Sequence, residues 1–213
     1  MDKSSWIALL QGAWTTVWIS GVSIAIGVLL GLGIAMLRGA RIPVVSQIIT
    51  LYISVVRATP MVTLVLFLFV AAPYLGWEFD RRIVAIAAMT INTTAFNAEI
   101  WRSAFETFPR EQIEAAKAAG MTKGLMMRRI MLPQMLVTSL PGLVNEMSLL
   151  VKSSPAIAMV GLVDLTRVTN RITAVTYEPL PPILAAGLFY LIIIGLLVQM
   201  QRIADKHAQR LAM

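Results

Sequence analysis

The chain has 213 residues, of which 58% are hydrophobic and only 14% charged, with a formal net charge of +7 and a mean hydropathy of +0.77. Water-soluble domains average about 45–50% apolar and about 25% charged residues, so this composition excludes an ordinary soluble fold and predicts an integral membrane protein. The chain has no cysteine, which excludes disulfides and thiolate metal sites, and its basic residues are scattered between apolar runs rather than clustered as in a nucleic-acid-binding patch.

Five segments are long and apolar enough to form the helix of roughly 20 residues that crosses a bilayer. These predicted spans cover residues 13–37, 45–72, 83–105, 135–163 and 183–200. The first is too long for the apolar region of a signal peptide and is predicted to be an uncleaved span. No linker or low-complexity tract divides the chain, so we predict one all-α transmembrane domain over residues 1–213.

Glycines and prolines mark special positions in these spans. Gly21, Gly27, Gly31 and Gly33 recur at near-helical spacing in the first span, which predicts close packing against a neighbouring helix. The second span is interrupted at residues 57–60, and the fourth contains Pro141 and Pro155. We expect breaks at such prolines, because proline lacks the N–H group that an uninterrupted helix uses.

The distribution of Lys and Arg between loops predicts the orientation of the chain. With five spans, one side of the membrane holds eleven basic residues: Arg38, Arg41, Arg102, Arg110, Lys117, Lys123, Arg128, Arg129, Arg202, Lys206 and Arg210. The other side holds five: Lys3, Arg81, Arg82, Arg167 and Arg171. Since positive residues are retained in the cytoplasm, the N-terminus is predicted outside and the C-terminus inside.

The segment between the third and fourth spans, residues 108–133, is the largest cytoplasmic loop in this orientation. Good helix formers predict a helix from Arg110 to Ala119, with Gly120 at its C-terminal cap and a second helix starting at Thr122. A helix this short is marginal in water, so it must dock on another surface. The loop methionines Met121, Met126 and Met127 are expected to offer a soft apolar surface to a partner, although docking on the chain's own helices is equally compatible with the pattern.

Ionisable side chains inside predicted spans are costly and therefore mark structural or functional positions. Arg57 is expected to satisfy a carbonyl freed by Pro60 or to pair with an acid, and Glu99 to pair with Arg102 one turn away. In span four, Glu146 and Lys152 belong to a polar band in which Asn145, Ser148 and Lys152 share one stripe.

An amino acid substrate carries a carboxylate, which Lys152 would meet, and an ammonium, which Glu146 would meet. A Glu146–Lys152 ion pair, or hydrogen bonding between helices, would explain the same residues. Asn92 and Asn97 in span three either line the pathway or hydrogen-bond across a subunit interface.

One stretch carries a specific resemblance. Glu114-Ala115-Ala116, then Gly120, then Ile130, Leu132 and Pro133 match the EAA signature of bacterial ABC-importer permeases at its usual spacing. Residues 57–60 resemble the RGTP element of the polar amino acid subfamily, with Ala58 in place of the usual glycine. Residues 95–102 and 148–164 resemble two further elements of that subfamily, although Ser153 and Pro155 depart from its usual pattern. The chain is therefore similar to permeases of the histidine/glutamine/arginine type over nearly its whole length.

This resemblance implies the fold of a type I ABC importer permease, with five transmembrane helices and a cytoplasmic coupling helix between helices 3 and 4. It implies a non-catalytic subunit that moves a polar amino acid or a close derivative into the cytoplasm by alternating access. A separate ATP-binding subunit would hold ATP and Mg. The other implied partners are a second permease, identical or a sister chain, an extracytoplasmic binding protein and membrane lipid. The location would be the bacterial cytoplasmic (inner) membrane, spanned several times.

The candidate site residues form three sets. The ATPase-coupling set is Glu114, Ala115, Ala116, Gly120 and Met121. The substrate-pathway set is Asn92, Asn97, Asn145, Glu146, Ser148, Lys152 and Ser153. The structural or gating set is Arg57, Thr59, Pro60 and Glu99. No catalytic residue, metal site or cofactor is expected in this chain, and no nucleic acid partner.

Two other functions are compatible with a membrane chain of this kind. An ion-coupled secondary transporter would need no ATPase, but five spans do not divide into equal repeats, and no repeat is visible in the sequence. A membrane assembly subunit without transport activity would have no need of the polar band in span four.

Overall fold

A computed structural model describes the backbone of residues 1–40 and 42–212 and the side chains of those residues up to Lys206. Arg41, and the side chains of His207 and Arg210, lie outside the described residues. The helices in chain order are α1 (Lys3–Gly39), α2 (Pro43–Ala58), α3 (Met61–Tyr74), α4 (Arg81–Glu106), α5 (Arg110–Ala118), α6 (Lys123–Met126), α7 (Leu132–Ser153), α8 (Leu165–Thr176) and α9 (Leu180–Ala212). A π-helical turn (Met127–Met131) joins α6 to α7, and a 3₁₀ segment (Ser154–Val160) follows α7. The described residues contain no strand, and the predicted all-α fold is confirmed.

Among the residues that the structure describes, three helices are long and apolar enough to cross a bilayer: Lys3–Gly39, Arg81–Glu106 and Leu180–Lys206. The number rises to five if each of two bent pairs, α2 with α3 and the α6–α7 region with α8, forms one broken span. At 1.5 Å per residue, α1 is about 55 Å long and exceeds the hydrocarbon thickness of about 30 Å. The first and last residues of the five predicted spans, and the extent of the single predicted domain, stay predictions.

The centre of the fold is the contact between α1 and α4. A Cβ atom added to Gly27 would collide with the side chain of Thr93, and one added to Gly31 would lie 2.8 Å from Asn97 Cβ and 2.9 Å from Ala98 N. By contrast, a Cβ atom added to Gly21 or Gly33 would have no atom of the described residues within 4 Å apart from the neighbouring residues and backbone of its own helix. The predicted glycine packing is therefore made by two of the four glycines. Gly12, which the pattern did not include, packs in the same way on the backbone of residues 164 and 165.

Replacing Gly31 with valine is expected to destabilise the folded chain by about 1–3 kcal/mol, because the side chain would push α1 away from α4. The matched control is Gly33→Val, which places the same side chain two residues away in open space. Thermal unfolding of the purified variants in detergent measures the difference. Equal midpoints for Gly31→Val and Gly33→Val would contradict the packing described here.

The second predicted span is a broken helix. Helix α2 ends at Ala58, Thr59 is extended at φ −89° and ψ 125°, and α3 starts after Pro60 at an angle of 110° to α2. Proline disfavours a helical conformation in the residue before it and cannot donate to the preceding turn, so the break follows from local chemistry. The hydroxyl of Tyr52 donates to the carbonyl of Ile91 at 2.7 Å and holds α2 against α4.

The segment after the fourth predicted span is more ordered than the sequence suggested. The connection between the predicted spans 135–163 and 183–200 is not a simple loop, because residues 165–176 form α8. The side chain of Asp164 caps this helix by accepting from the N–H groups of Thr166 and Arg167 at 3.2 and 2.9 Å. No long apolar run marks this 12-residue helix, which is held by packing of Leu165 and Val168 on Leu9 and Ala13.

Candidate functional sites

The cytoplasmic segment between α4 and α7 has the two-helix form expected from its sequence. Helix α5 follows Pro109, and Gly120 beyond its end has φ +73°, which favours glycine. The N–H of Gly120 donates to the carbonyl of Lys117 at 2.9 Å, and the N–H of Met121 donates to that of Ala116 at 3.0 Å. This pair of bonds is the Schellman arrangement, which ends the helix and turns the chain.

One face of α5 docks on the chain's own helices. Ala116 is buried and Ile113 partly buried in a cluster that includes Trp101, Met131 and Met135. Gln134 Nε2 also donates to Gln112 Oε1 at 2.8 Å, which links α7 to α5. The short helix is therefore held by apolar burial that its own sequence could not provide.

The opposite face of α5 is exposed. Glu114, Ala115 and Gly120 lie on the surface of the chain, while Met121 is half-buried. The expectation of a methionine surface was wrong for Met126, which is only 7% exposed and packs into the cluster beneath α5. Sequence periodicity could not show this, because the turn at Gly120 sets the direction in which the second helix leaves.

The connection from this segment to α7 contains the π-helical turn. Thr122 caps α6 through its side chain, which accepts from the N–H of Leu125 at 3.4 Å. The N–H of Leu132 then donates to the carbonyl of Met127, five residues back. Pro133 has no N–H to offer the preceding turn, so the regular hydrogen-bond pattern is interrupted where the cytoplasmic segment enters the long helix.

A second group of polar residues surrounds a cavity of about 240 Å³ between the α2–α3 break, α4 and α7. Its lining includes Arg57, Thr59, Asn92, Phe96, Glu146 and Ser153. Two of the predicted structural residues and three of the predicted pathway residues therefore meet at one place. Pro60 lies at the break itself and sets the direction in which Thr59 and Met61 enter the lining.

The two charged groups of this cavity come from different helices. Glu146 is 5% exposed, and the guanidinium of Arg57 lies 5.1 Å from the centre of the Phe96 ring in a cation–π arrangement. Within the described residues, neither Arg57 nor Glu146 is in an ion pair. The cavity thus holds a cation and a carboxylate that the fold does not neutralise by direct contact.

The other polar residues of α7 have different surroundings. Asn145 and Lys152 are exposed on the surface of the chain and do not line the cavity. The buried hydroxyl of Ser148 donates to the carbonyl of Val144 at 3.2 Å, within its own helix. Ser153, seven residues after Glu146, shares the cavity face because seven residues complete nearly two helical turns.

Asn97 lies in the contact between α1 and α4 rather than in the cavity. It is 1% exposed, its Nδ2 donates to Thr93 Oγ1 at 3.1 Å, and its Cβ faces Gly31. Its Oδ1 is buried without a hydrogen-bond partner among the described residues. This placement favours a packing role within the chain.

Glu99 takes part in an ion-pair chain at the end of α4. It pairs with Arg102, as the sequence predicted, and with Arg38 of α1 at 3.4 Å, while Arg102 also pairs with Glu106. The Arg38 contact joins residues 61 positions apart and could not be read from local spacing. The chain of charges ties the ends of α1 and α4 together, so the structural interpretation of Glu99 is favoured.

Phe96 lines the cavity beside Arg57 but was not among the candidate site residues, and the same is true of the apolar lining residues Met61, Leu149 and Leu150. Phe96 lies within residues 95–102, but an aromatic residue in a membrane helix is usually lipid-facing or core. The available signal was its position four residues after Asn92, which puts both on the same face of α4.

Comparison with known proteins gives a consistent result. Residues 7–210 match the family described as "Binding-protein-dependent transport system inner membrane component". The arginine transport system permease protein ArtQ of Bacillus subtilis is 33% identical over 190 residues, covering 89% of this chain and 87% of ArtQ. The octopine transport system permease protein OccM of Rhizobium meliloti is 33% identical over 196 residues, covering 88% and 80% of the two chains.

Solved structures show the same fold. An amino acid ABC transporter crystallised with histidines superposes with a TM-score of 0.85 at 28% identity, covering 99% of both chains. The inward-facing MetNI methionine ABC transporter superposes with a TM-score of 0.77 at 23% identity, covering 97% of this chain and 99% of the other. The second likeness concerns the fold alone.

Proposed function

This chain belongs to the family of binding-protein-dependent transport system inner membrane components, and from that premise we propose that it moves a polar amino acid or a close derivative into the cytoplasm by alternating access. It is a permease subunit of an ABC importer with the type I fold. Relatives named for arginine, octopine and glutamine support a polar, nitrogen-rich substrate class. As a permease subunit it leaves ATP hydrolysis to a separate ATP-binding partner, which would hold ATP and Mg.

The observation that carries the substrate class is the cavity shared by Arg57 and Glu146. An amino acid presents a carboxylate and an ammonium group, and Arg57 and Glu146 carry the charges opposite in sign to these two groups. Arginine binds a carboxylate through parallel hydrogen bonds, and a buried carboxylate favours a cationic partner. Asn92 and Ser153 add neutral hydrogen-bonding groups. In this proposal Arg57 replaces Lys152 as the partner of the substrate carboxylate, because Lys152 lies outside the cavity.

The cytoplasmic segment is proposed as the contact with the ATPase. Helix α5 is fixed on one side by Ala116 and exposed on the other at Glu114 and Ala115. A helix held in this way moves together with the α4 and α7 helices beneath it, so force applied to its outer face would reach the cavity. Gly120 and Met121 shape the turn that keeps it in place.

The exposed face of α7 is proposed to face a second permease subunit, identical or a sister chain. Asn145 and Lys152 lie on that face, and Leu149, which is 47% exposed, borders both this face and the cavity. The pathway would then run between two subunits. The chain would lie in the bacterial inner membrane with the N-terminus outside, where an extracytoplasmic binding protein delivers the substrate.

The decisive test is uptake by proteoliposomes that contain the complex purified through a tag on this chain. We expect an ATP-binding subunit to copurify. Accumulation of a radiolabelled polar amino acid should require ATP on the side of the membrane that carries the cytoplasmic segment and the binding protein on the opposite side. The control replaces ATP with a non-hydrolysable analogue, which should stop accumulation. Uptake that continues without ATP under an ion gradient would instead identify a secondary transporter.

A further inference from the structure

A second cavity lies at the opposite end of α4 from the cytoplasmic segment. It has a volume of about 380 Å³ and is lined by two tryptophans and one threonine of α1, by the start of α4, and by the residues that follow the 3₁₀ segment. The side chains that matter are Trp14, Trp18, Arg81 and Arg82. The transport proposal uses none of them.

The position of Arg81 depends on Gly161. Gly161 has φ +85°, and a Cβ atom added to it would lie 2.8 Å from Arg81 Nη1. The guanidinium therefore rests against a backbone surface that only glycine leaves open at this conformation. This contact holds one side of a long, flexible and still exposed cation beside the cavity.

The cavity carries an excess of positive charge. Arg81 and Arg82 form no ion pair within the described residues, and Asp80 is the acidic residue in the lining. One oxygen of that carboxylate already accepts from the N–H of Arg82 at 2.8 Å and caps α4. Two guanidinium groups against one engaged carboxylate favour an anionic ligand, and guanidinium groups match phosphate oxygens in geometry.

The surroundings favour a lipid over a protein partner. Trp14 is 69% exposed and lies on the same face of α1 as Leu10 and Val17, which are 56% and 39% exposed. This exposed apolar stripe is the kind of surface that faces acyl chains, and tryptophan concentrates at the level of lipid headgroups. The first predicted span begins at residue 13, which places Trp14 at that level. A headgroup in the cavity would therefore have its acyl chains beside the stripe.

We propose that Arg81 and Arg82, framed by Trp14 and Trp18, bind the phosphodiester headgroup of an anionic phospholipid. The lipid belongs to the leaflet on the N-terminal side of the bilayer, which is the outer leaflet in the orientation proposed above. A headgroup held between α1, α4 and the residues after the 3₁₀ segment would join three parts of the chain that are distant in the sequence. The inference requires only that the chain lies in a membrane, and it does not depend on the substrate.

The full chain is reconstituted in nanodiscs made from equal parts of phosphatidylglycerol and phosphatidylcholine, then extracted, and the retained lipids are quantified by mass spectrometry. Wild-type protein is expected to retain phosphatidylglycerol preferentially. Arg81→Gln and Arg82→Gln should each lower that preference about fivefold, since one basic residue near a membrane surface contributes a comparable factor. Arg171→Gln is the matched control, because it removes an exposed arginine from the same side of the protein outside this cavity.

Four results would overturn the proposal. The first is an unchanged lipid preference in Arg82→Gln, which decides the matter even if Arg81→Gln fails to fold after losing its contact with Gly161. The second is an equal loss in Arg171→Gln. The third is displacement of phosphatidylglycerol by millimolar inorganic phosphate, which would identify a free-anion site. Weaker binding of the extracytoplasmic protein with unchanged lipid retention would reassign the surface to that partner and equally overturn it.

Discussion

Replacing Glu146 with glutamine is expected to lower substrate uptake about 100-fold, because the substrate ammonium would lose its only buried counter-charge in the cavity. The amide has nearly the same shape as the carboxylate and avoids the cost of burying a charge, so folding and ATPase binding should be preserved. Uptake by proteoliposomes and copurification of the ATPase measure the two effects separately.

Lys152→Met is the matched control for this prediction. It removes a charge from the same helix but from the exposed face, outside the cavity. We expect a much smaller loss of uptake than in Glu146→Gln. If Lys152→Met abolishes uptake and Glu146→Gln does not, the pathway follows the exposed face of α7. That result would agree with the sequence pattern that placed Asn145, Ser148 and Lys152 on one side of the helix. A parallel Arg57→Gln variant should resemble Glu146→Gln, since it removes the other cavity charge.

Replacing Gly120 with valine is expected to uncouple ATP hydrolysis from transport. The amount of substrate moved per ATP hydrolysed should fall by about tenfold or more. Gly120 has φ +73°, a left-handed conformation that costs an ordinary side chain about 1–2 kcal/mol. A β-branched residue such as valine is strained there as well. The turn would rearrange, the bond from Met121 N–H to the Ala116 carbonyl would be lost, and α5 would change its angle to the bundle. Parallel assays of ATPase rate and uptake measure the ratio.

Gly124→Val provides the control for the coupling prediction. Gly124 lies four residues further along in α6 with open space around it and no left-handed conformation. It should keep its coupling ratio close to wild type. If Gly120→Val keeps the wild-type coupling ratio, the turn at Gly120 is not part of the coupling mechanism. If the coupling ratio falls equally in both variants, the substitutions disturb the cytoplasmic segment as a whole.

Several local features of the fold could be predicted from residues that are close together in the sequence. The end of α5 near Gly120, the cap at Thr122 and the break before Pro60 were all predicted from residues within a few positions. Each depends on backbone conformations or hydrogen bonds that one residue type favours or prevents. The same is true of the Glu99–Arg102 pair, which needs only helical spacing.

The composition of the cavity could not be predicted from residues that are close together in the sequence. The polar residues of span four were found, but spacing along a helix gives their relative positions and not the direction of any one of them. Which face turns inward was decided by the packing of α7 against α9 and α4, which left Glu146 and Ser153 at the cavity and Asn145 and Lys152 outside. Phe96, Arg38 and Gly12 acquired their contacts from residues more than 35 positions away in the sequence.

The sequence by itself determined the membrane class, the order of the apolar helices, the breaks near Pro60 and Pro155, and the family resemblance in the EAA stretch. These follow from composition, from the helical period and from the restricted geometry of glycine and proline. The break expected at Pro141 was wrong, because α7 continues through this residue from Leu132 to Ser153. Only the tertiary structure decided that α8 is a helix, that Gly27 and Gly31 rather than Gly21 and Gly33 meet α4, and that Arg57 and Glu146 share a cavity. Contacts between distant segments depend on how whole helices pack, because burial and close approach are properties of the assembled fold and not of any short stretch.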